Sequence, residues 1–265
     1  VSSYQSGPPK FADYAERYPN LRMERRDGVL LLTMHDGSGG RMVFGGDPHP
    51  HGQLTEAFAD IARDPENRAV ILTGAGGAFI ESISFGDTPG KLPATAFVGM
   101  DTESIRFLLN QVSVPVPMIA AVDGPAHVHA ELALLCDIAI ASPTAEFQDV
   151  PHYPAGLVPG DGAHVIWPLF LGPGRARYFL LTGQKIGAEE ALALGLVQEV
   201  VPAEGLLDRA WELGRQVAGQ PPLTARYTRA LFTQDIKRKL VDDLPFGLTA
   251  EILAATESFP SGTRR

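Results

Sequence analysis

The sequence is poor in the features that would tie it to an oxidising compartment, a membrane or a polyanion. Cys136 is the one cysteine among 265 residues, so no intrachain disulfide can form and no cysteine cluster can hold a metal. It ends the apolar run Leu132-Ala133-Leu134-Leu135-Cys136, where a small buried thiol is expected. No apolar stretch approaches the roughly 18 residues that suggest a membrane span. The start, Val1-Ser2-Ser3-Tyr4-Gln5, lacks the charged-then-apolar order of a secretory leader, so a cytoplasmic location is the expectation. Positive charge is scarce as well. Lys and Arg number 22 against 31 Asp and Glu, a formal net charge of −9, which disfavours counterion release on nucleic acid. The run Lys237-Arg238-Lys239 reads as the solvated face of a helix. Neither a nucleic-acid nor a membrane partner is expected, and no metal-ligand spacing appears.

What is present is an ordinary apolar share, 45%, enough for one sizeable core. Residues 1–10, with Ser, Gly and two prolines, read as loosely ordered within an N-terminal extension, 1–19. Leu21–Arg25 alternates, Asp27-Gly28 signals a turn, and Val29–Met34 is a buried run, together a pair of strands. A Gly-, Pro- and His-rich loop spans 36–51. Leu54, Phe58 and Ile61 then share one face of a helix over 53–63. Ala69–Thr73 and Met118–Val122 read as buried strands, with a helix over 102–112 between them. A helix at 130–136, a strand at 137–141, helices around 162–182 and 188–194, and a strand at 196–201 follow. The remainder, 203–258, reads as three helices. Strands alternating with helices argue for an α/β fold, a spiral core over 20–200 with a helical region, 201–265, behind it.

Three segments carry a family likeness. They are Ala69-Val70-Ile71-Leu72-Thr73-Gly74 with Ala78-Phe79, then Ile119-Ala120-Ala121-Val122-Asp123-Gly124 leading to Glu131–Ile138, and then Leu181-Thr182-Gly183-Gln184-Lys185-Ile186 with Gly195-Leu196-Val197. In this order and spacing they resemble the enoyl-CoA hydratase/isomerase (crotonase) superfamily over about residues 20–235. The resemblance implies a crotonase-like ββα spiral core with a C-terminal helical trimerisation region, and a homotrimer or dimer of trimers. It also implies two turns whose backbone N–H groups hold a thioester enolate, donors placed where charge develops. Here those turns read Phe79-Ile80-Glu81-Ser82-Ile83-Ser84 and Gly124-Pro125-Ala126-His127-Val128-His129-Ala130-Glu131. The second lacks the family's glycine run and is one residue shorter. Glycine lets backbone approach a ligand closely, so its loss weakens the acyl-CoA reading. The last residues, Ser258–Arg265, also lack the aromatic, acidic and basic cluster that helps cover CoA in that branch.

The stretch Phe147–His164 is the most informative. Hydratases carry a glutamate after the proline at the position of His152; nine residues later, after Pro159-Gly160, stands Asp161. With Trp167-Pro168 and Tyr178–Gly183 this pattern resembles the 6-oxocamphor hydrolase, or β-diketone hydrolase, branch. A histidine oriented by a carboxylate is a workable general base near neutral pH. Alone, His152 in a Pro-rich loop is a structural residue and Asp161 an ordinary N-cap; together, at the family's acid–base position, they are a catalytic pair. The same resemblance puts Glu251 in place to orient water, His129 as a side-chain donor to a second carbonyl, and Phe44 where that branch has a tryptophan. Phe cannot donate a hydrogen bond, so His49 or His51 are candidates to compensate, and Ile83 of the first turn lines the substrate site. Glu131 aligns with the other hydratase carboxylate and is expected in a structural hydrogen bond. The implied reaction is cofactor-independent cleavage of a carbon–carbon bond in a small-molecule 1,3-diketone by water. The rival is hydration or isomerisation of an acyl-CoA; a further one is a silent scaffold.

Overall fold

Alternation within the central strands decides the architecture. In β2 (Val29–Met34), β4 (Ala69–Gly74) and β6 (Met118–Val122), Leu30, Leu32, Val70, Leu72, Ala120 and Val122 join the main core. Their neighbours Val29, Leu31, Ala69, Ile71, Ile119 and Ala121 point the other way and form a second cluster with Leu206, Ala210, Trp211 and Leu213 of one helix. Both faces are therefore covered, as a parallel sheet requires. In this computed structural model, residues 7–46, 49–86 and 100–265 are described; the expectation for the first ten residues thus lies partly outside them.

The sheet has six strands in the order β1-β2-β4-β6-β8-β11, with β1 (Leu21–Arg26), β8 (Ile138–Ala141) and β11 (Glu199–Val200). Only the β1–β2 pair is antiparallel. Its register, ending at Arg26↔Val29, places the Asp27-Gly28 turn where the sequence puts it. Two short sheets stand beside it: β12-β5-β3 and β10-β9-β7. Here β3 is Val43–Phe44, β5 Ser82–Ser84, β7 Pro125–Ala126, β9 Glu146–Phe147, β10 Ile186–Gly187 and β12 Thr263–Arg264. The helices are α1 (Phe11–Tyr14), α2 (Pro50–Arg63), α3 (Met100–Ser113), α4 (Glu131–Leu134), α5 (Ala163–Leu171), α6 (Pro173–Thr182), α7 (Ala188–Leu194), α8 (Ala203–Ala218) and α9 (Pro222–Glu257). Near the start of the chain, Tyr14 donates to Asp64 and Tyr18 to Asp60, anchoring this segment on α2 and the turn after it.

The region after 203 corrects one expectation. It holds two helices, not three, because α9 runs unbroken through Pro245 for 36 residues. An internal proline removes one backbone bond and costs about 3 kcal/mol. Here Leu240, Leu244 and Leu248 are buried at four-residue spacing on both sides of it, and burying each contributes about 1.5–3 kcal/mol. The carbonyl that loses its donor belongs to Val241, a residue 56% exposed.

Candidate active site

Several parts of the chain close around one cavity of about 460 Å³. The end of β3 supplies Phe44, and the start of α2 supplies His49 and His51. β5 and its exit supply Ile83, Ser84 and Phe85. The turn before α4 supplies His129, the loop before α5 supplies Leu157 and Asp161, and α9 supplies Leu248, Glu251, Ile252 and Ala255. The C-terminal segment folds back over it, with β12 paired to β5 and Phe259 on the wall. Phe44 and Ile83 are register partners in the β3–β5 pair, which is why residues 39 apart in sequence meet at one wall.

His129 has φ 46°, in the left-handed region, the position for which glycine is preferred. Strain of this kind costs about 1–2 kcal/mol and is concentrated at functional sites. It places the imidazole against the Phe44 ring, centroids 4.4 Å apart, with Nδ1 at 2.7 Å from Glu131 Oε1 and 3.8 Å from Asp161 Oδ2. Burial opposes its charged form, but Glu131 and Asp161 outweigh burial, so its pKa is raised above 6.5. Glu131 thus takes the structural hydrogen bond expected of it.

His152 follows Pro151 and opens a 3₁₀ turn, Tyr153–Ala155. Both of its nitrogens meet carboxylates: Nε2 lies 3.1 Å from Asp161 Oδ1, and Nδ1 lies 2.6 Å from Asp149 Oδ1. Burial again opposes the imidazolium, yet the two carboxylates hold its pKa well above 6.5. The same pairing overcomes burial at Asp161 and holds it well below the usual carboxylate range. Asp161 reaches the cavity wall and His152 does not, so His152 meets the cavity through Asp161. The expected arrangement had His152 facing water directly with Asp161 behind it; the structure places Asp161 in front.

Glu251 completes the group. One atom each of His152, Asp161 and Glu251 lies within 4.8 Å of the others, as do atoms of His129, Glu131 and Asp161. Burial, reinforced by the Asp161 charge, pushes the Glu251 carboxyl up to about 8. Two carboxylates on one cavity are therefore held in opposite protonation states at neutral pH, the pattern that separates an acid from a base. A cation could be offered three ligands by either trio. In both, the histidine also lies against a carboxylate, an arrangement that can share a proton.

His51 Nδ1 contacts Glu103 at 3.0 Å, and burial lowers the pKa values of both His49 and His51, leaving them neutral. All seven expected residues, His152, Asp161, Glu251, His129, Phe44, His51 and Ile83, are thus in or against this one site. Sequence reading missed Asp149, whose signal was only an Asp-x-x-His spacing. It also missed Leu248, Ile252 and Ala255, which repeat at helical spacing around Glu251.

Part of the backbone of the two turns is engaged. Phe79 and Ile80 N–H donate to Pro125 O, and His127 and Val128 N–H donate to Ile80 O. Ser82–Ser84 is the central strand of its sheet.

A spiral α/β core, a long C-terminal helix and an acid–base cavity between them define a crotonase-type enzyme. The chain belongs to the enoyl-CoA hydratase/isomerase family, whose sequence profile matches residues 49–257. Carnitinyl-CoA dehydratase of Proteus mirabilis (strain HI4320) is 32% identical over 221 residues, 80% of each chain. The enzyme of that name from Escherichia coli (strain K12) is 30% identical over the same length, again 80% of each. Among solved structures, a β-diketone hydrolase from the cyanobacterium Anabaena sp. PCC 7120, bound to (S)-3-oxocyclohexyl acetic acid, is 42% identical. It superimposes with a TM-score of 0.88 over 92% of this chain and 97% of that one. An enoyl-CoA hydratase/isomerase from Mycobacterium paratuberculosis shares the fold, with a TM-score of 0.79 at 24% identity over 90% and 94% of the chains.

Proposed function

We propose that this enzyme is a β-diketone hydrolase that opens a cyclic 1,3-diketone by retro-Claisen cleavage. The observation that carries the reading is the pairing of an ionised Asp161, backed by His152, with a protonated Glu251 on one cavity wall. Water adds to one carbonyl as its proton passes by way of Asp161 to His152, in the neutral form that the ring takes above its raised pKa. The tetrahedral intermediate breaks the bond to the carbon between the carbonyls, and the electron pair becomes the enolate of the second carbonyl. His129, held charged by Glu131, stabilises the enolate oxygen as a preorganised donor. Glu251 returns a proton to carbon, and the proton stored on His152 restores it. The sum is diketone plus water giving an oxo acid.

The likeness to the Anabaena hydrolase supports the same reading. Reversing the cleavage of its bound oxo acid rebuilds a bridged bicyclic 1,3-diketone, and this is the first substrate to test. The carnitinyl-CoA dehydratase likeness favours the rival, acyl-CoA chemistry with Glu131. It is opposed by four turn amides, those of Phe79, Ile80, His127 and Val128, which bond across the two turns and are not free to hold a thioester oxygen. Release of oxo acid from the bicyclic diketone, abolished in His152→Ala and in Asp161→Asn, is the expected result. Hydration of crotonyl-CoA without any diketone opening would sink the proposal.

A further inference from the structure

We propose that Asp149 is the positioning residue of the site: its buried carboxylate holds the Nδ1–H of His152 and so commits Nε2 to Asp161 and the cavity. The inference rests on the hydrolase reading for its kinetic consequences, but the Asp149–His152 pairing stands on geometry alone.

Asp149 lies just past β9, on the loop that carries Val150 N–H to His127 O and leads through Pro151 to His152. It is 5% exposed, and Oδ1 meets His152 Nδ1 at 2.6 Å. Among the described residues its other oxygen, Oδ2, has no hydrogen-bond partner. A carboxylate that served the loop would spend both oxygens on backbone N–H groups, because a buried acceptor left unmatched is costly. This one contacts the imidazole and leaves its second oxygen unmatched.

The consequence for chemistry follows from the two ring nitrogens. A neutral imidazole has one donor and one acceptor, and the partner of one nitrogen fixes the other. An ionised carboxylate accepts only, so Asp149 places the hydrogen on Nδ1. Nε2 is then the nitrogen that faces Asp161, 3.1 Å from Oδ1: in the charged ring it carries the second hydrogen, and in the neutral ring it is the site left to receive the proton that Asp161 takes from water. Once that proton arrives, Asp149 stabilises the imidazolium. His129, Glu131, Glu251 and His51 are the other titratable groups that face Asp161, and none of them occupies Nδ1 of His152.

The test combines nitrogen NMR of the imidazoles with kinetics, in the unaltered enzyme, Asp149→Asn and Asp149→Glu, with His152→Gln assigning the His152 signals. In the unaltered enzyme the neutral ring is expected to carry its proton on Nδ1. Asp149→Asn should lower the His152 titration midpoint by about 1 pH unit or more. It should also move the acid limb of kcat to lower pH and reduce kcat by roughly 100-fold with little change in KM. Asp149→Glu, which retains the charge, should recover part of that loss. A folded Asp149→Asn protein with the midpoint and the acid limb unmoved overturns the proposal. Should Asp149→Asn not fold, an Nε2–H tautomer in the unaltered enzyme overturns it equally. A displaced His152 titration without any diketone turnover supports the pairing and sinks only the hydrolase reading.

Discussion

Gly160 and Gly247 meet backbone to backbone. A Cβ built on Gly160 would lie 2.1 Å from Gly247 O, and one on Gly247 would lie 2.5 Å from Gly160 O and 2.1 Å from His164 Cε1. This contact lets α9 come down on the loop before α5. Asp161 is the residue after Gly160, and Glu251 is one helical turn past Gly247, so two missing side chains bring the two carboxyls together. Gly160→Ala and Gly247→Ala are each expected to destabilise the fold by about 1–3 kcal/mol through overpacking. Their activity should fall further than stability explains, as the Asp161–Glu251 spacing opens. Thermal melts beside kcat measurements check this, and an alanine variant with normal kcat would refute it.

Glu251 makes stability depend on pH in a definite direction. Its folded pKa, about 8, is above the ordinary 4.5, so between those values the folded state holds a proton that the unfolded chain has lost. Stability from this group is complete below pH 4.5 and is lost as pH rises through 8, by about 1.4 kcal/mol per unit. Glu251→Gln removes the penalty. It should melt higher than the unaltered enzyme at pH 8–9, by less at pH 5, and lose activity. Equal melting temperatures at pH 9 would contradict the burial argument.

The same group shapes the rate profile. His152 must be neutral to receive a proton, and its pKa lies well above 6.5, so kcat should rise with pH through that range. Glu251 must be protonated to give one back, so kcat should fall above about 8. In Glu251→Gln the alkaline limb should vanish from whatever rate remains, while the acid limb stays.

His129 separates backbone strain from chemistry. His129→Asn keeps a side chain that tolerates a φ of 46° and can still donate a hydrogen bond, so it should fold and retain part of the rate. His129→Ala should lose about 100-fold or more in kcat, the usual loss for one oxyanion donor. A loss confined to KM would instead make His129 a ground-state binding group.

The outer edge of α9 exposes Leu223, Tyr227 and Leu231 at four-residue spacing, 67%, 68% and 72% accessible, with Phe232 beside them. A row of this kind is what a second copy of the chain would cover. Light scattering should find a particle of three or six chains, and Tyr227→Glu with Leu231→Glu should break it into smaller ones. A monomer at micromolar concentration would remove oligomerisation from the account.

The sequence by itself determined the strands β2, β4 and β6, the turn at Asp27-Gly28 and the helices from α2 to α7. Runs of apolar residues and their period are local properties that each segment carries with it. It also singled out His152 and Asp161, which the structure brings together at one cavity. Only the tertiary structure decided that α9 passes through Pro245, since the buried leucines on either side outweigh the local cost. Only it put Asp161 in front of His152, Asp149 behind it and Glu251, 90 residues further along, within reach. A protonation state belongs to no single residue: burial and neighbouring charge set it, and both exist only once the chain has closed around the cavity.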